Sequence, residues 1–248
     1  MIRGTLARQM DHDPRFTWRG EAVTRIENLS DIVFALALGM LVSSATRPTN
    51  FDQLTEHLFT IIPVAAGFAL LFTVWNAHFT YFRRYGVADG VVVFLNCVLL
   101  LFVLFVAYPL RFIFDGLYGV IVGSIFDDWS FLEAAGITYE ISGIIMAYFA
   151  VGYAMTYVVI ALMYARALAK ADALDLTPTE QAMTRQSIFM FCVIIVISLI
   201  VAVLAVLTDL NAFAACLMIL LAPAAILVRH LYKVPEVAED GLTGEERS

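Results

Sequence analysis

Long blocks of apolar residues alternate with short polar segments along the chain. A helix that crosses a membrane needs about 20 predominantly apolar residues, so each block predicts one span. The last two blocks are separated by little more than Asp209, which predicts a helical hairpin. The pattern predicts an all-α, polytopic membrane protein with six transmembrane helices. The predicted spans are Leu29–Thr46, Leu58–Phe82, Gly90–Phe114, Ile137–Ala165, Ile188–Leu207 and Leu210–Leu231.

The predicted spans divide the chain into three parts. Residues 1–28 carry Phe16 and Trp18 among arginines, which is typical of a segment that lies along the membrane surface. Residues 29–232 form the six-helix transmembrane domain. Residues 233–248 are acidic and lack an apolar pattern, so we expect this tail to be disordered. Within the domain, residues 115–136 are expected to form an irregular interfacial cap on the outer side.

The positive charges are distributed unevenly across the predicted membrane. Of the 15 Lys and Arg residues, only Arg47 and Arg111 lie on one side, and the others lie on the side of the two termini. Positive residues are enriched on the cytoplasmic side. We therefore expect both termini to be cytoplasmic and the protein to reside in the cytoplasmic membrane. The opposite side carries eight acids, which would attract cations or simply keep short loops soluble.

Composition narrows the classes of function. Hydrophobic residues make up 61% and charged residues 15% of the 248, whereas soluble domains are roughly a quarter charged. The spans leave no room for a separate catalytic domain, and a net charge of -7 argues against nucleic-acid binding. Cys97, Cys192 and Cys216 lie in apolar blocks, so neither a disulfide nor a metal site is predicted. Membrane lipid is the expected surrounding.

Several polar side chains lie inside the predicted spans, where they are costly. Their common position near the cytoplasmic ends of the first three spans predicts a buried hydrogen-bonded network. Asp31 has a second interpretation, as a cap that the dipole of the first helix stabilises. The predicted network consists of Arg25, Ser30, Asp31, Trp75, His78 and Asn96.

These polar residues carry a resemblance to a known family. Arg25-Ile-Glu-Asn-Leu29-Ser30-Asp31 resembles the RxxxFSD motif that opens the first helix of the transmembrane protein 175 family. Trp75-Asn-Ala-His78 is similar to the family's WxxH motif in the second helix, and Asn96-Cys-Val-Leu-Leu to its third-helix asparagine motif. The match covers spans one to three and the six-span unit as a whole.

The resemblance implies a prokaryotic potassium-permeable cation channel that assembles as a homotetramer. It implies that the first helix of each subunit lines the pore and that the six polar residues hold that helix in place. Potassium ions would be the transported partner, with no cofactor and no resident metal. No TVGYG-like segment occurs, so a carbonyl filter of the ordinary potassium-channel kind is not supported.

The first span offers an apolar stripe to such a pore. At about 100° per residue, the stripe Leu29, Ile32, Leu36, Met40 and Ser43 shares one face. On the residues alone this stripe would face lipid or a neighbouring helix. The resemblance instead places Leu36 where the family has a constricting Ile, with Met40 as the next ring, in a hydrophobic neck that gates by dewetting.

Two positions differ from the family's pattern, and the residues leave other functions open. Leu29 replaces the motif Phe, and Gly39 stands where a Thr is common, which affects the expected selectivity. A proton-coupled transporter would use Asp31 and His78 as relay groups, although no inverted repeat is evident. A non-conducting assembly subunit is the other alternative. An enzyme is not expected, because HExxH and GxSxG motifs are missing.

Overall fold

The computed structural model describes residues 15–20, 22–43, 50–51, 61–134 and 139–207. All regular secondary structure in these ranges is helical, as the apolar blocks predicted. The predicted sixth span, the hairpin at Asp209 and the acidic tail lie outside the described residues. The helices are α1 Arg25–Ser43, α2 Ile61–Tyr85, α3 Gly90–Phe126, α4 Ser130–Ala134, α5 Tyr139–Ala169 and α6 Pro178–Leu207.

Three of the described helices are long and apolar enough to cross a membrane. They are α3, residues 142–169 of α5, and α6. Five of the six predicted spans coincide with α1, α2, α3, α5 and α6 in position. The described part of the chain is therefore all-helical and includes membrane-capable helices.

The end of the third predicted span was wrong. α3 continues past Phe114 to Phe126, through a stretch expected to be irregular. Residues 115–126 contain one charged residue and three glycines among mostly apolar residues; each glycine inside a helix costs only about 1 kcal/mol, and the helix continues through them. At about 1.5 Å per residue, its 37 residues span roughly 55 Å, longer than the roughly 30 Å hydrocarbon core. α3 ends where Asp127 adopts a left-handed conformation with φ 57°.

The start of the fifth predicted span was also wrong, because α6 begins at Pro178 rather than Ile188. Its first turn is closed by a capping box, the reciprocal pairing of a Thr and a Glu three residues later. The N–H of Thr177 donates to Glu180 Oε2 at 2.9 Å, and the N–H of Glu180 donates to Thr177 Oγ1 at 3.2 Å. Satisfied amides at this end let the helix start in the polar segment before the apolar block.

The helices pack as a bundle in which α3 and α5 are central. α1 packs against α2 and α3, α3 packs against α5, and α5 packs against α6. Aromatic rings fill the space among α2, α5 and α6, where Tyr164 lies within 5.6 Å of Tyr81, Tyr85 and Phe191 by ring centroid. The Tyr164 hydroxyl donates to the carbonyl of Ala77 at 3.0 Å. α1 therefore lies on the side of the bundle with one face covered.

Candidate pore helix and its supporting contacts

The covered face of α1 meets α2 and α3 through three buried polar side chains. Ser30, His78 and Asn96 are each at most 3% exposed. Asn96 Nδ2 donates to Ser30 Oγ at 3.0 Å, and Asn96 Oδ1 lies 2.8 Å from His78 Nε2. Ser30 Oγ donates in turn to the carbonyl of Ile26 at 2.8 Å. This buried triad joins one residue from each of the first three helices.

The triad specifies the proton position on His78. The side-chain oxygen Oδ1 of Asn96 can only accept a hydrogen bond. The imidazole must therefore carry a proton on Nε2 in order to donate to it. Apolar rings enclose the imidazole, with centroids of Phe34 at 5.7 Å and Phe82 at 4.9 Å. Buried polar groups that satisfy one another in this way fix a single arrangement of the surrounding helices.

Asp31 and Trp75 form a second, separate contact at the surface of the bundle. Trp75 Nε1 donates to Asp31 Oδ1 at 3.0 Å, and Asp31 is exposed. The indole lies between Phe72 and Phe79, with both centroids 5.3 Å away. This bond links the exposed carboxylate of α1 to α2 at the surface of the bundle.

Arg25 does not join either group in the part of the chain that the structure describes. It is exposed in the first turn of α1, six residues before Asp31. Six residues turn a helix by about 240° beyond one full turn, which directs the two side chains to different faces. The six residues expected in one network thus form a buried triad, a surface pair and a separate arginine.

Three residues of the stripe predicted on α1 are exposed in the single chain. Leu29 is 50% exposed, Ile32 67% and Leu36 56%. Met40 is half-buried, and Ser43 ends the helix. A Cβ added at Gly39 would meet nothing within 4 Å, so this glycine lies on the same open side. The exposed face therefore runs nearly the full length of α1.

Comparison with known proteins assigns the chain to a family. A family model described as "Endosomal/lysosomal potassium channel TMEM175" matches residues 25–107, which span the polar residues of α1, α2 and α3. A protein of Marivirga tractuosa named "Potassium channel" is 35% identical over 198 residues, 77% of this chain and 79% of that protein. The chain belongs to the TMEM175 family. The resemblance given by the three motifs is thereby confirmed.

Solved structures of TMEM175 proteins share the fold of this chain. A variant of the potassium channel MtTMEM175, crystallised with a Nanobody-MBP fusion protein, is similar with a TM-score of 0.75 and 30% identity. That similarity covers 88% of this chain and 97% of the other. A lysosomal potassium-selective TMEM175 homolog from Chamaesiphon Minutus matches with a TM-score of 0.54 and 20% identity, over 83% of this chain and 97% of that one. At that identity the second likeness concerns the fold alone.

Sequence reasoning missed an ion pair that holds the start of α1 in this TMEM175-family chain. Glu27 is buried, and its Oε2 accepts from Arg83 Nη2 of α2 at 2.8 Å. Its Oε1 accepts from the N–H of Thr24 at 2.9 Å, while the N–H of Glu27 donates to Thr24 Oγ1 at 3.3 Å. The sequence signalled only the cap, because Thr24-x-x-Glu27 has the spacing of a capping box; the pairing with Arg83 has no local signal.

Asp89 forms a second charged contact at the same end of the bundle. It caps α3 by accepting from the N–H of Val92 at 3.0 Å. Its Oδ2 lies 2.7 Å from Lys170 Nζ and 2.9 Å from Arg166 Nη2, both at the end of α5. The hydrogen bonds from Lys170 and from the N–H of Val92 hold the pKa of the Asp89 carboxyl below its usual value. This contact joins α3 to α5.

Proposed function

We propose that this chain forms a potassium-permeable cation channel whose pore is lined by α1 from four copies. The family assignment supports potassium permeation, since a 35% identical relative is named "Potassium channel" and the similar solved structures are TMEM175 potassium channels. The observation that carries the proposal for this chain is the uncovered face of α1, where Leu29, Ile32 and Leu36 are exposed and the exposed Asp31 lies at the edge.

The combination of residues on that face favours a central pathway over contact with lipid. Apolar residues alone would be stable against acyl chains, but Arg25 on the same face and Asp31 at its edge carry charges that are costly there. Four copies arranged with α1 inward would give Asp31 a hydrated or protein-lined position. They would also cover Leu29 and Ile32 with their own equivalents.

The constriction is assigned to Leu36. Ile32 lies nearer the start of α1, and Met40 and Ser43 lie nearer its end. A ring of leucine side chains is apolar and narrow, so water leaves it readily and conduction stops when it dries. Widening or wetting that ring then controls the flow. Because Gly39 adds no side chain, the neck depends on Leu36 and Met40 alone in this region.

The surrounding architecture belongs to the same proposal. We assign residues 29–232 to six membrane spans, with residues 1–28 and 233–248 on the cytoplasmic side of the cell membrane. The excess of Lys and Arg on that side supports this orientation. The buried triad of Ser30, His78 and Asn96 supports α1 from behind, so that its other face meets the axis.

The test is potassium flux into liposomes that contain the purified full chain, together with the native mass of the detergent-solubilised protein. We expect potassium-driven flux without a proton gradient and a mass of four copies. A monomer would contradict the central pathway, because one chain has no symmetry axis. An oligomer without flux would identify a non-conducting subunit, and flux that requires a proton gradient would identify a transporter.

A further inference from the structure

A short segment before α1 crosses the end of the bundle where α1 and α6 begin. Residues 16–20, here called the strap, lie over the end of α2. The N–H groups of Arg19 and Gly20 donate to the carbonyl of Arg83 at 3.2 and 3.1 Å. Phe16 is buried and packs edge-on against Tyr85 with centroids 5.6 Å apart. The strap is thus part of the packed structure.

Gly20 is the closest approach of the strap to α2. A Cβ at this position would lie 2.1 Å from the carbonyl oxygen of Phe82, closer than atoms can approach. Both partners are backbone, so neither can rotate away as a side chain could. Any larger residue at Gly20 must therefore lift the strap from α2.

One end of the strap is fixed to α6 by Arg19. Its guanidinium forms two bonds to the buried carboxylate of Glu180, at 3.0 and 2.9 Å. Its other donors reach the carbonyls of Leu174 at 2.7 Å, Asp175 at 2.9 Å and Thr17 at 2.9 Å. All five donors of an arginine are thereby used. The planar fork makes this contact geometrically specific.

The other end of the strap is fixed to α1 by Arg83. Its Nη1 donates to the carbonyl of Gly20 at 2.8 Å, and its Nη2 donates to Glu27 Oε2 at 2.8 Å. One guanidinium therefore holds both the strap and the start of α1. The side chains of Arg83 and Glu27 are 11% and 9% exposed, so little water replaces the contact if it breaks.

We propose that Glu27 and Arg83 are positioning residues for conduction, and that the strap connects them to Glu180 at the start of α6. A continuous series of contacts runs from Glu180 through Arg19, Gly20 and Arg83 to Glu27. This inference rests on the proposed function, in which α1 lines the pore. Glu27 lies nine residues before Leu36, so a change in how α1 is anchored moves the constriction through a single rigid helix.

Glu27→Gln tests the pair without removing the cap. A Gln at this position of a capping box still bonds the backbone N–H of Thr24, whereas the charge that pairs with Arg83 is lost. We expect the open probability of the assembled channel to change at least fivefold, with the same yield of tetramer. Glu180→Gln is the matched change at the other cap, and we expect a smaller change in the same direction, because it acts through the strap.

Gly20→Ala tests the strap without changing any charge. It should reproduce the direction of the Glu27→Gln effect. Gly90→Ala is its control at the same end of the bundle, since a Cβ there meets nothing within 4 Å, and it should behave as wild type. Arg83→Lys keeps the charge but loses the planar fork that spans Gly20 and Glu27. If Glu27→Gln does not assemble, the open probability of Arg83→Lys is measured in its place and should change in the same way.

A structural role and a positioning role give different results. If the variants lower the melting temperature while assembled channels keep the wild-type open probability, the inference is wrong. If wild type conducts potassium but none of these substitutions changes the open probability, the inference is wrong and the proposed function stands. If wild type carries no potassium flux, both the proposed function and this inference are wrong.

Discussion

α1 and α6 both leave one face of the bundle uncovered, yet the two faces differ in chemistry. The exposed positions of α1 include Arg25, Asn28 and Asp31 before its apolar stripe. From residue 188 onward α6 exposes no charged or amide side chain. Its exposed residues there are Phe189, Cys192, Val196, Leu199, Ile200, Val203, Val206 and Leu207. From residue 188 onward the α6 face suits acyl chains, whereas the α1 face suits them only in part.

The buried serines of α1 and α6 also differ in their hydrogen-bond partners. Ser30 of α1 bonds a side chain of α3, at 3.0 Å from Asn96 Nδ2. Ser198 of α6 is also buried, but its hydroxyl donates to the carbonyl of Ile194 in its own helix at 2.8 Å. Polar contacts between helices fix rotation, and a contact within one helix does not. α6 has its own interhelical contact near its start, where Thr184 Oγ1 lies 2.7 Å from the Tyr85 hydroxyl of α2, so the contrast with α1 concerns the part of α6 around Ser198.

The largest effect is expected from an asparagine placed on each exposed face. Leu36→Asn should wet the proposed neck and raise potassium flux several-fold, about the effect of lowering the barrier by 1 kcal/mol or more. Val203→Asn makes a similar change on α6 and should leave flux per channel unchanged. Liposome flux at matched protein content measures both. Equal effects of the two substitutions would remove the distinction between the faces.

Asp31→Ala tests whether the polar start of the α1 face serves assembly. The change leaves the Trp75 indole N–H without its acceptor and removes the charge that disfavours lipid at this surface. We expect a loss of tetramer relative to monomer by native mass or cross-linking. Arg185→Ala on the exposed side of α6 is the control and should assemble normally. Normal assembly and melting of the Asp31 variant would contradict this role.

Asn96→Leu tests the polar contact behind α1. It leaves the buried His78 Nε2 without its partner, at a cost of about 1–3 kcal/mol, while the Ser30 hydroxyl keeps its bond to the carbonyl of Ile26. Ser198→Ala, the counterpart on α6, should cost less than about 1 kcal/mol, because only a bond within one helix is lost. Thermal unfolding in detergent compares them. A Ser198 variant as unstable as the Asn96 variant would show that both helices are fixed alike.

The smallest effect concerns Asp89, which joins the side of the bundle that carries α1 to the side that carries α6. Its pKa is lowered in the folded protein, so its stabilising contribution is complete above the ordinary value of 3.8 and is lost as the pH falls below it. Because Arg166 and Lys170 are partly exposed, the contribution is at most about 1 kcal/mol.

Asp89→Asn isolates that contribution, since Asn also caps a helix. Between pH 6 and pH 3, a window set around that ordinary pKa, the melting temperature of wild type should fall more than that of the variant. The other carboxylates are common to both proteins and cancel in the difference. Parallel curves would mean that the ion pairs contribute nothing to stability.

The sequence predicted the class of fold and the polar residues of the first three helices because those signals are local. Apolar blocks locate helices without knowledge of their neighbours. The motifs around Ser30, His78 and Asn96 share one depth, and the structure brings these three within hydrogen-bond distance. Arg25 was expected in the same network, but it is exposed, and six residues do not return a side chain to the face of Asp31.

Helix ends were harder to predict than helices. Hydropathy located the apolar part of α6 but not its start ten residues earlier, because a capping box contributes hydrogen bonds rather than apolar area. Likewise, Phe114 looked like an end of α3 only because charges and glycines follow. In the fold, the helix continues to a left-handed residue at Asp127.

The sequence by itself determined that the chain is helical, apolar and of the TMEM175 pattern, because periodicity, span length and motif spacing are properties of consecutive residues. Only the tertiary structure decided which face of α1 is covered and which arginine meets which glutamate. Arg19 and Glu180 are separated by 161 residues and Arg83 and Glu27 by 56. Pairing over such distances depends on how α2 packs against α1 and how the segment before α1 reaches the start of α6, and no local pattern encodes that packing.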